Sequence, residues 1–352
     1  MGGWRAARGV SYCRLPIRSP RIELAPRRRA QALDCPLRPT PVTALIVSNI
    51  LPKVSVCVIT YNQSRYLRAC LQSIVEQKTN FEFEVVVGDD CSTDGTADVI
   101  SEYRDRYPKL IVPIFNTKKI GGTRNYVTSH LRARGEYVAH VDGDDVAAPG
   151  KLQRQADYLD SHPEAALVWH AVEQFDDAGE KRELLHPRLA DVVDRERITL
   201  RDVLRYGSLG AASSIMYRRA SAHYLSEIGG DTLDYYFSAR LLEGGLAANL
   251  EEVLGRYRHN SNVATLSKKE SPYFRRSPMR DLYADHLRAL YERNPSARDD
   301  IFLNSLFNFA VEFRFLRTTA LPFLLLALHT VSISGVRQVP TYLRRALWLR
   351  AR

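Results

Sequence analysis

The sequence predicts an α/β fold in which a mainly parallel β-sheet is flanked by helices. Two observations support this prediction. Short apolar segments of strand length alternate, along residues 54–172, with segments that have helical periodicity. Polar or acidic side chains directly follow three of the predicted strands, and this is the edge at which open parallel sheets bind their ligands.

The first predicted strand is VSVCVIT, residues 54–60, an apolar and β-branched run that we expect to be buried. A helix should follow it, because Leu67, Leu71 and Ile74 recur at helical spacing. Ser64 is suited to cap the first turn of that helix.

The alternation continues through the next hundred residues. Further strands are predicted at FEVVVGDD (83–90), KLIVPIF (109–115), YVAHV (137–141) and AALVWHAV (165–172). Helices are predicted between them at STDGTADVISEYRDRY with Ser92 or Asp94 as its cap, at IGGTRNYVTSHLRARG after a glycine turn, and at GKLQRQADYLDSH.

We expect three regions in the chain. Residues 1–48 are predicted to be a disordered, basic and proline-rich tail, since the first 41 residues hold nine arginines against two acids and have no periodicity. The alternative is that translation starts after this tail. Residues 49–265 are predicted to form the α/β domain, and residues 266–352 a helical extension.

Charge and cysteine usage exclude several classes of function. The net charge of +10 comes from the two ends of the chain, which leaves the middle slightly acidic, so we expect no nucleic-acid partner. The five cysteines form no CxxC pair, which argues against zinc sites and disulfide frameworks and favours a reducing, cytoplasmic location. The first 15 residues lack the apolar run of a signal peptide.

Three carboxylates, Asp142, Asp144 and Asp145, stand within four residues at the end of the fourth predicted strand. Like charges this close repel one another, and a divalent cation would relieve the repulsion. Mg²⁺ and Mn²⁺ prefer carboxylate oxygens and bridge to substrate phosphates. The alternative is an aspartate-rich turn that caps the helix beginning near Pro149.

Three segments together resemble the family 2 glycosyltransferases of GT-A fold, in order and in spacing: VSVCVITYNQSRYLRACLQSIVEQ, FEVVVGDDCSTDGT and YVAHVDGDDVAAPGKLQRQ. The resemblance covers roughly residues 53–262. It implies the Rossmann-like fold of nucleotide-diphospho-sugar transferases. It also implies an inverting, Mn²⁺- or Mg²⁺-dependent transfer of sugar from a nucleoside-diphosphate donor of UDP type.

The resemblance extends to individual nucleotide-binding residues. Thr60 and Tyr61 match positions that hold the base, and the Tyr61 ring is suited to stacking. Asp90 matches the acid that bonds the edge of the base, and Arg124 matches a basic residue near the nucleotide. For Tyr61 and Arg124 the alternatives are a rim aromatic packed on the sheet and a surface residue of a helix.

The acidic cluster matches the DxD motif of the family. Asp142 and Asp144 fit the two acids that contact the ribose and the metal, and Asp145 fits the terminal acid that coordinates the metal. The resemblance thus implies Asp142 and Asp144 as donor-binding residues, and Asp144 and Asp145 as metal ligands.

An inverting transfer needs a base that takes the proton of the acceptor hydroxyl. The resemblance implies Asp234 for this role, with Arg240 at the family's offset, although Leu233 stands where many members have Glu. Asp231 is the reserve candidate, and an acid at a helix N-terminus is the structural alternative. His259 is either a group near the diphosphate or a surface histidine.

The C-terminal region is predicted to be helical over 277–313 and strongly apolar over 320–333. The apolar run is shorter than the roughly 20 residues that span a bilayer. Residues 314–352 hold seven arginines and no acid, as in a helix that lies on an anionic membrane surface. We therefore expect either peripheral contact with the inner face of the membrane or helices that pack against the α/β domain or in a dimer.

The resemblance implies a saccharide or lipid-linked acceptor and a place in bacterial cell-surface polysaccharide synthesis. A nucleotidyltransferase of similar sheet architecture is an alternative, but no glycine-rich loop follows the first strand. A dehydrogenase or a non-catalytic nucleotide-binding module is a second alternative, and the chain has no GxGxxG or GxxxxGK motif at a strand–helix turn. The segment 206–217 is a candidate determinant of the donor sugar.

Overall fold

A computed structural model of the protein describes residues 51–177, 183–185, 189–259, 278–315 and 317–350, with the backbone alone at 348 and 350. All of the described residues belong to one compact unit. The predicted N-terminal tail lies outside the described residues, and so does the predicted domain boundary at residue 265.

Four parallel strands form the first half of the sheet in the order β3-β2-β1-β4. They are β1 (Val54–Thr60), β2 (Phe83–Asp89), β3 (Ile111–Phe115) and β4 (Tyr137–Asp142). β1 is buried along almost its whole length, as expected for a central strand covered on both faces. The predicted α/β fold class is confirmed.

The second half of the sheet continues from β4 through β8, β6 and β9 to β5, and β7 pairs with β6. β8 runs antiparallel to both β4 and β6, and β6 and β9 pair in parallel. The sequence did not predict the antiparallel pairs. The strands are β5 (Val146–Ala147), β6 (Ala165–Phe175), β7 (Glu183–Leu184), β8 (Met216–Arg218) and β9 (Leu246–Arg258).

Helices cover both faces of the sheet, because successive strand side chains point to opposite sides and build two separate hydrophobic cores. One core contains residues of α1 (Ser64–Val75), α2 (Thr96–Arg106) and α4 (Lys151–Ser161). The other contains residues of α3 (Gly122–Arg132), α5 (Leu200–Tyr206), α6 (Asp234–Leu241), α7 (Pro278–Arg293), α8 (Arg298–Arg314), α9 (Ala320–Thr330) and α10 (Ile333–Arg350).

The predicted cap of α1 is wrong. Ser64 is the first helical residue, and Gln63 occupies the N-cap position without a capping side-chain bond. The main-chain N–H and the hydroxyl of Ser64 both donate to Asp94 Oδ2, each at 3.0 Å. A carboxylate from the loop before α2 therefore satisfies this helix end, and no local sequence signal could reveal a partner 30 residues away. The other oxygen of Asp94 accepts from the N–H of Thr96 in α2.

A buried ion-pair group joins the C-terminal helices to the rest of the unit. Asp300 of α8 is fully buried and accepts from Arg201 Nε at 2.7 Å and from Arg205 Nε at 2.6 Å. Both arginines belong to α5, which packs on α8. Two charge-assisted hydrogen bonds therefore replace the hydration that the Asp300 carboxylate loses on burial.

Replacing Asp300 by Ala should lower the free energy of unfolding by about 2–4 kcal/mol, because the two guanidinium groups lose a buried partner. Urea denaturation followed by circular dichroism would measure this loss. Asp285→Ala removes an exposed acid of α7 and should change stability by less than about 0.5 kcal/mol. Equal losses in the two variants would contradict a structural role for Asp300.

Candidate active site

The ends of β1, β2 and β4 bring the predicted site residues to one edge of the sheet. The loop that holds the three acids folds back onto the end of β1, where Gly143 makes this approach possible. A Cβ atom at Gly143 would lie 2.7 Å from Gln63 Oε1 and 3.0 Å from Thr60 Oγ1. The glycine of the DGDD motif thus sets how closely the acids lie to the first strand.

Thr60 is buried beneath this loop, and its hydroxyl donates to Gln63 Oε1 at 2.9 Å. The Thr60 side chain is therefore engaged with the protein's own loop. Its main-chain carbonyl accepts from the N–H of Asp90 at 3.0 Å, which joins the ends of β1 and β2. The predicted role of Thr60 in holding the base stays a prediction.

Tyr61 and Asp90 lie beside the loop that precedes α3. The Asp90 carboxylate is buried and accepts from the main-chain N–H groups of Ile120 and Gly121 at 2.7 and 3.0 Å. The Lys119 ammonium lies 3.6 Å from the centre of the half-buried Tyr61 ring, within the range of a cation–π contact. An aromatic face, a carboxylate and an ammonium group thus meet at one end of the site.

Asp145 is the most buried of the three acids in the loop. Its Oδ1 accepts from the main-chain N–H of Arg258 at 2.7 Å, while its buried Oδ2 has no hydrogen-bond partner in the described part of the chain. Burial and the neighbouring charges of Asp142 and Asp144 raise the pKa of Asp145 well above its usual range. The protein therefore holds this carboxylate in an environment that disfavours its ionised form.

The donor set fits a hard divalent cation that is bound jointly with a substrate. Asp145 offers a buried oxygen without a partner, and Asp144 lies beside it. Within the described ranges, no three His, Cys, Asp or Glu side chains converge closely enough to hold a metal by themselves. A cation here would need further ligands, such as water and phosphate oxygens, as is usual for Mg²⁺.

Arg258 and Lys151 supply positive charge around the acidic loop. Arg258 Nε donates to the main-chain carbonyl of Asp144 at 3.0 Å, and its guanidinium lies 4.3–4.4 Å from the centres of the Phe175 and Tyr66 rings. These aromatic contacts hold the guanidinium against the loop.

Lys151 is almost fully buried at the start of α4, and its Nζ donates to His170 Nε2 at 2.9 Å and to the Ser213 carbonyl at 2.5 Å. Burial lowers the pKa of Lys151 to about 7, and the charge of Asp145 opposes this shift. A buried ammonium group thus lies within electrostatic range of the acidic loop and offsets part of its negative charge.

Asp234 begins α6 and lies across from the acidic loop. Its side chain is exposed to solvent. Loss of hydration and the charge of Asp142 raise the pKa of Asp234 to about 6. Asp234 and Asp142 are therefore close enough to influence each other, although 92 residues separate them in the chain.

The Tyr257 side chain lies within electrostatic range of all four acids of the predicted site. The pKa of Tyr257, at the end of β9, is raised by burial and then by the charges of Asp142, Asp145, Asp234 and Asp144. The structure therefore gathers the predicted donor-side acids and the predicted base around one residue.

The remaining candidates lie at the margins of this arrangement. Arg124 is exposed in the first turn of α3, and Asp231 is exposed three residues before α6. His259 is half-buried, and its main-chain N–H donates to the Phe175 carbonyl. Arg240 is buried and forms ion pairs with Glu227 and Glu243, so its guanidinium is already engaged by the protein's own acids.

Sequence reasoning missed several residues that hold the acids in place. Ser213 accepts from the main-chain N–H of Asp142 at 2.9 Å, and Arg258 and Lys151 flank the loop as described. These residues come from separate parts of the chain. The helical lysine directly after the acidic loop was the one available signal, since a lysine at a buried helical position needs a polar partner.

Comparison with known proteins finds similarity to glycosyltransferases over part of the chain. The sequence profile described as "Glycosyl transferase family 2" matches residues 55–224. The uncharacterized protein Rv1520 of Mycobacterium tuberculosis is 34% identical over 210 residues, which cover 59% of this chain and 59% of that protein. The abequosyltransferase RfbV of Salmonella typhimurium is 36% identical over 115 residues, which cover 32% of this chain and 34% of RfbV.

A solved structure has a similar fold. The crystal structure of residues 1–349 of Staphylococcus aureus TarS matches with a TM-score of 0.57 at 20% identity, covering 84% of this chain and 83% of that one. The shared architecture confirms the predicted GT-A fold with helices after the sheet. The family 2 profile thus covers residues 55–224, and over that segment the resemblance seen in the sequence is confirmed.

Proposed function

We propose that the protein is an inverting, metal-dependent glycosyltransferase that moves a sugar from a nucleoside-diphosphate donor of UDP type to an acceptor hydroxyl. The chain spans about 59% of the length of the relative described above, so its activity and substrates are inferred from the site. The observation that carries the proposal is the convergence of Asp142, Asp144, Asp145 and Asp234 around Tyr257.

The two ends of the cleft suit the two halves of a nucleotide sugar. The Tyr61 face and the Asp90 carboxylate offer stacking and hydrogen-bond groups to a base, and Asp142 at the end of β4 pairs with Ile59, two residues before Tyr61. TarS has been solved in complex with UDP-GlcNAc and with UDP, which supports a UDP-type donor for this chain as well.

Asp144 and Asp145 would hold a Mn²⁺ or Mg²⁺ ion together with the diphosphate of the donor. When bound, such an ion neutralises the charge that develops on the leaving diphosphate. The unpartnered oxygen of Asp145 supports this assignment, because a buried carboxylate oxygen without a partner is costly unless a ligand satisfies it.

The transfer itself uses Asp234 as the base. Its ionised carboxylate takes the proton of the acceptor hydroxyl while the hydroxyl oxygen forms a bond to the anomeric carbon of the donor sugar. The bond from that carbon to the diphosphate oxygen breaks, and its electron pair leaves with the nucleoside diphosphate. Attack opposite the leaving group inverts the anomeric centre.

The relatives support a polysaccharide-type acceptor. RfbV is named an abequosyltransferase, and TarS is named a poly(ribitol-phosphate) β-N-acetylglucosaminyltransferase. We propose a saccharide or lipid-linked acceptor in the synthesis of a cell-surface polysaccharide for this chain. Asp234 at the solvent side of the cleft is accessible to such a large acceptor.

The C-terminal helices carry an apolar surface that suits a membrane. Opposite the buried face of α9, the side chains of Leu321, Leu325 and Leu328 are more than half exposed, and Ile333 at the start of α10 is 76% exposed. The residues from 314 onward include arginines but no acid, so the surface is complementary to anionic lipids. In the part of the chain that the structure describes, no helix meets the length and hydropathy needed to cross a bilayer.

Replacing Asp234 by Asn should lower kcat by at least about 100-fold and leave UDP binding unchanged, since the amide cannot accept the acceptor proton. A panel of nucleotide sugars scored by UDP release, with UDP affinity measured by calorimetry, would test this. Asp231→Asn is the control and should retain activity. Loss of activity in that variant alone would place the base at Asp231.

The activity should also depend on the ionisation of Asp234. Its pKa is raised to about 6, so kcat/KM should fall tenfold per pH unit below pH 6 and become constant above it. The residual activity of Asp234→Asn should not show this fall of kcat/KM below pH 6. A wild-type kcat/KM that stays constant from pH 5 to 8 would contradict the assignment of Asp234 as the base.

Thermal stabilisation of the protein by NAD, without release of UDP from any nucleotide sugar, would instead favour a dehydrogenase.

Replacing Asp145 by Asn should stabilise the metal-free protein at pH 8, where the wild type is forced to bury a carboxylate beside two others. Because the pKa of Asp145 is raised on folding, its unfavourable contribution grows as pH rises above about 4. We expect the melting temperature in EDTA to rise by about 2–4 °C.

The same variant should lose the stabilisation that Mn²⁺ plus UDP gives the wild type, and it should lose transfer activity. Asp98→Asn, which neutralises an exposed acid of α2, serves as the control and should change neither measurement. Full stabilisation of Asp145→Asn by Mn²⁺ plus UDP would show that the metal is held elsewhere.

The membrane contact can be tested by co-sedimentation with vesicles. Wild-type protein should bind vesicles that contain anionic phosphatidylglycerol and not vesicles of phosphatidylcholine alone. The combined variant Leu321→Ser, Leu325→Ser and Leu328→Ser should bind about tenfold more weakly, because it removes apolar area from the contact. Leu131→Ser changes an equally exposed leucine of α3 and should bind like the wild type.

Equal vesicle binding by the triple variant and the wild type would contradict a membrane role for this surface. A concentration-dependent dimer that the triple variant loses, without vesicle binding by either protein, would assign the surface to a second copy of the chain.

A further inference from the structure

A chain of buried hydrogen bonds runs from the active-site cleft into the core on one side of the sheet. His140 Nε2 lies 3.2 Å from Asp142 Oδ1, and His140 Nδ1 lies 3.1 Å from His130 Nε2. His130 Nδ1 lies 2.7 Å from the hydroxyl of Tyr217. Both histidines and the tyrosine are almost fully buried, while Asp142 is half-buried at the cleft.

One arrangement of protons satisfies all three contacts with neutral rings. The ionised Asp142 oxygen can only accept, so His140 must carry its proton on Nε2. The bare Nδ1 of His140 then accepts from His130 Nε2–H, and the bare Nδ1 of His130 accepts from the Tyr217 hydroxyl. Burial lowers the pKa of His130 well below its usual range, in keeping with a neutral ring. The chain of donors therefore points toward Asp142.

Aromatic side chains fix the orientation of the two imidazoles. The Tyr126 ring stacks on His130 with centroids 3.7 Å apart, and it lies 4.9 Å from the ring of His140. The Phe237 ring stacks on the Tyr126 ring, with centroids 4.3 Å apart. A close-packed cluster of this kind leaves the rings little room to rotate.

The same cluster reaches the helix that carries the proposed base. Phe237 lies on α6, three residues after Asp234. The acid that faces the donor and the acid that faces the acceptor are thus both anchored to one packed group of rings. Ser213 is the other side chain at the Asp142 carboxylate, and its hydroxyl lies 3.4 Å from Oδ2.

We propose that His140 is a positioning residue that fixes the Asp142 carboxylate for the donor nucleotide, and that His130 and Tyr217 select the His140 tautomer that does so. The proposal rests on the proposed function of Asp142 as a donor-binding residue. The alternative is a pair of core histidines that satisfy each other without effect on the cleft.

Two substitutions separate these interpretations. His140→Phe keeps a ring in the cluster and removes the donor, whereas His140→Gln places an amide N–H near the position of Nε2. His140→Phe should raise the KM for the donor by about tenfold, the effect of one hydrogen bond to a charged group. The KM for the acceptor should stay unchanged, and His140→Gln should restore the donor KM to within about threefold.

His162→Phe is the matched control. His162 also stacks on a tyrosine, Tyr158, at 4.0 Å, but it follows the far end of α4, about 15 Å along the helix from Lys151. This variant should keep the wild-type KM for the donor. Urea denaturation of all three variants would separate a loss of folding from a change at the site.

A wild-type donor KM in His140→Phe would overturn the proposal, and so would a failure of His140→Gln to restore what His140→Phe loses. Nitrogen-15 spectra of histidine-labelled protein supply a test that needs no activity, because they report the tautomer of each ring. We expect Nε2–H in both His130 and His140, identified by the signals lost in His140→Phe. An Nδ1–H tautomer at His140 would overturn the proposal.

The kinetic test also distinguishes this inference from the proposed function. Wild-type protein that transfers no sugar from any donor would overturn the proposed function together with the positioning role that depends on it. Active wild-type protein whose donor KM ignores His140 would overturn the positioning role alone.

Discussion

The site depends on how the protein holds three like charges together at the end of one strand. Burial and the charges of Asp142 and Asp144 together raise the pKa of Asp145, so this acid is the costly one to ionise. The surrounding structure compensates only in part, through the main-chain N–H of Arg258 and the buried ammonium of Lys151. The remaining imbalance would favour a cationic ligand at the loop, as the proposed function requires, and the fold supplies the rigidity that maintains it.

That rigidity comes from contacts at both ends of the acidic loop. Gly143 lets the loop rest against the end of β1, and β5, directly after the acids, pairs with β9. The β9 strand in turn delivers Tyr257 and Arg258 to the loop. The antiparallel half of the sheet is therefore part of the site's support, although the chemistry follows strands of the parallel half.

The sequence predicted the parallel half of the fold well, because each buried strand there is a continuous apolar run. β1 was placed at residues 54–60, and the structure has it at Val54–Thr60. The antiparallel strand β8 has three residues and no periodicity to detect, so it escaped prediction. The cap of α1 failed for a different reason, since the carboxylate that caps it belongs to a distant loop.

For the site, the sequence could locate candidate residues that follow a strand, and it could not locate side chains that meet across the core. The acidic loop and Asp90 could be placed from the sequence because parallel strands end at one edge of the sheet. The linked rings of His130, His140 and Tyr217 could not, because the tyrosine lies 77 residues or more from either histidine and only folding reveals which ring faces which. The sequence around a single histidine in an apolar strand does not show which side chain that histidine will contact.

The difference in depth between the acids has a consequence for the order of events in turnover. Asp144 and Asp145 are closed in by the protein, whereas Asp234 opens to solvent. Under the proposed function the diphosphate would bind at the enclosed acids and the acceptor at the exposed Asp234, so the donor would occupy the deeper position. If the proposed function holds, the enzyme should load its donor first and its acceptor second, and the lengthened saccharide should depart before the spent nucleotide.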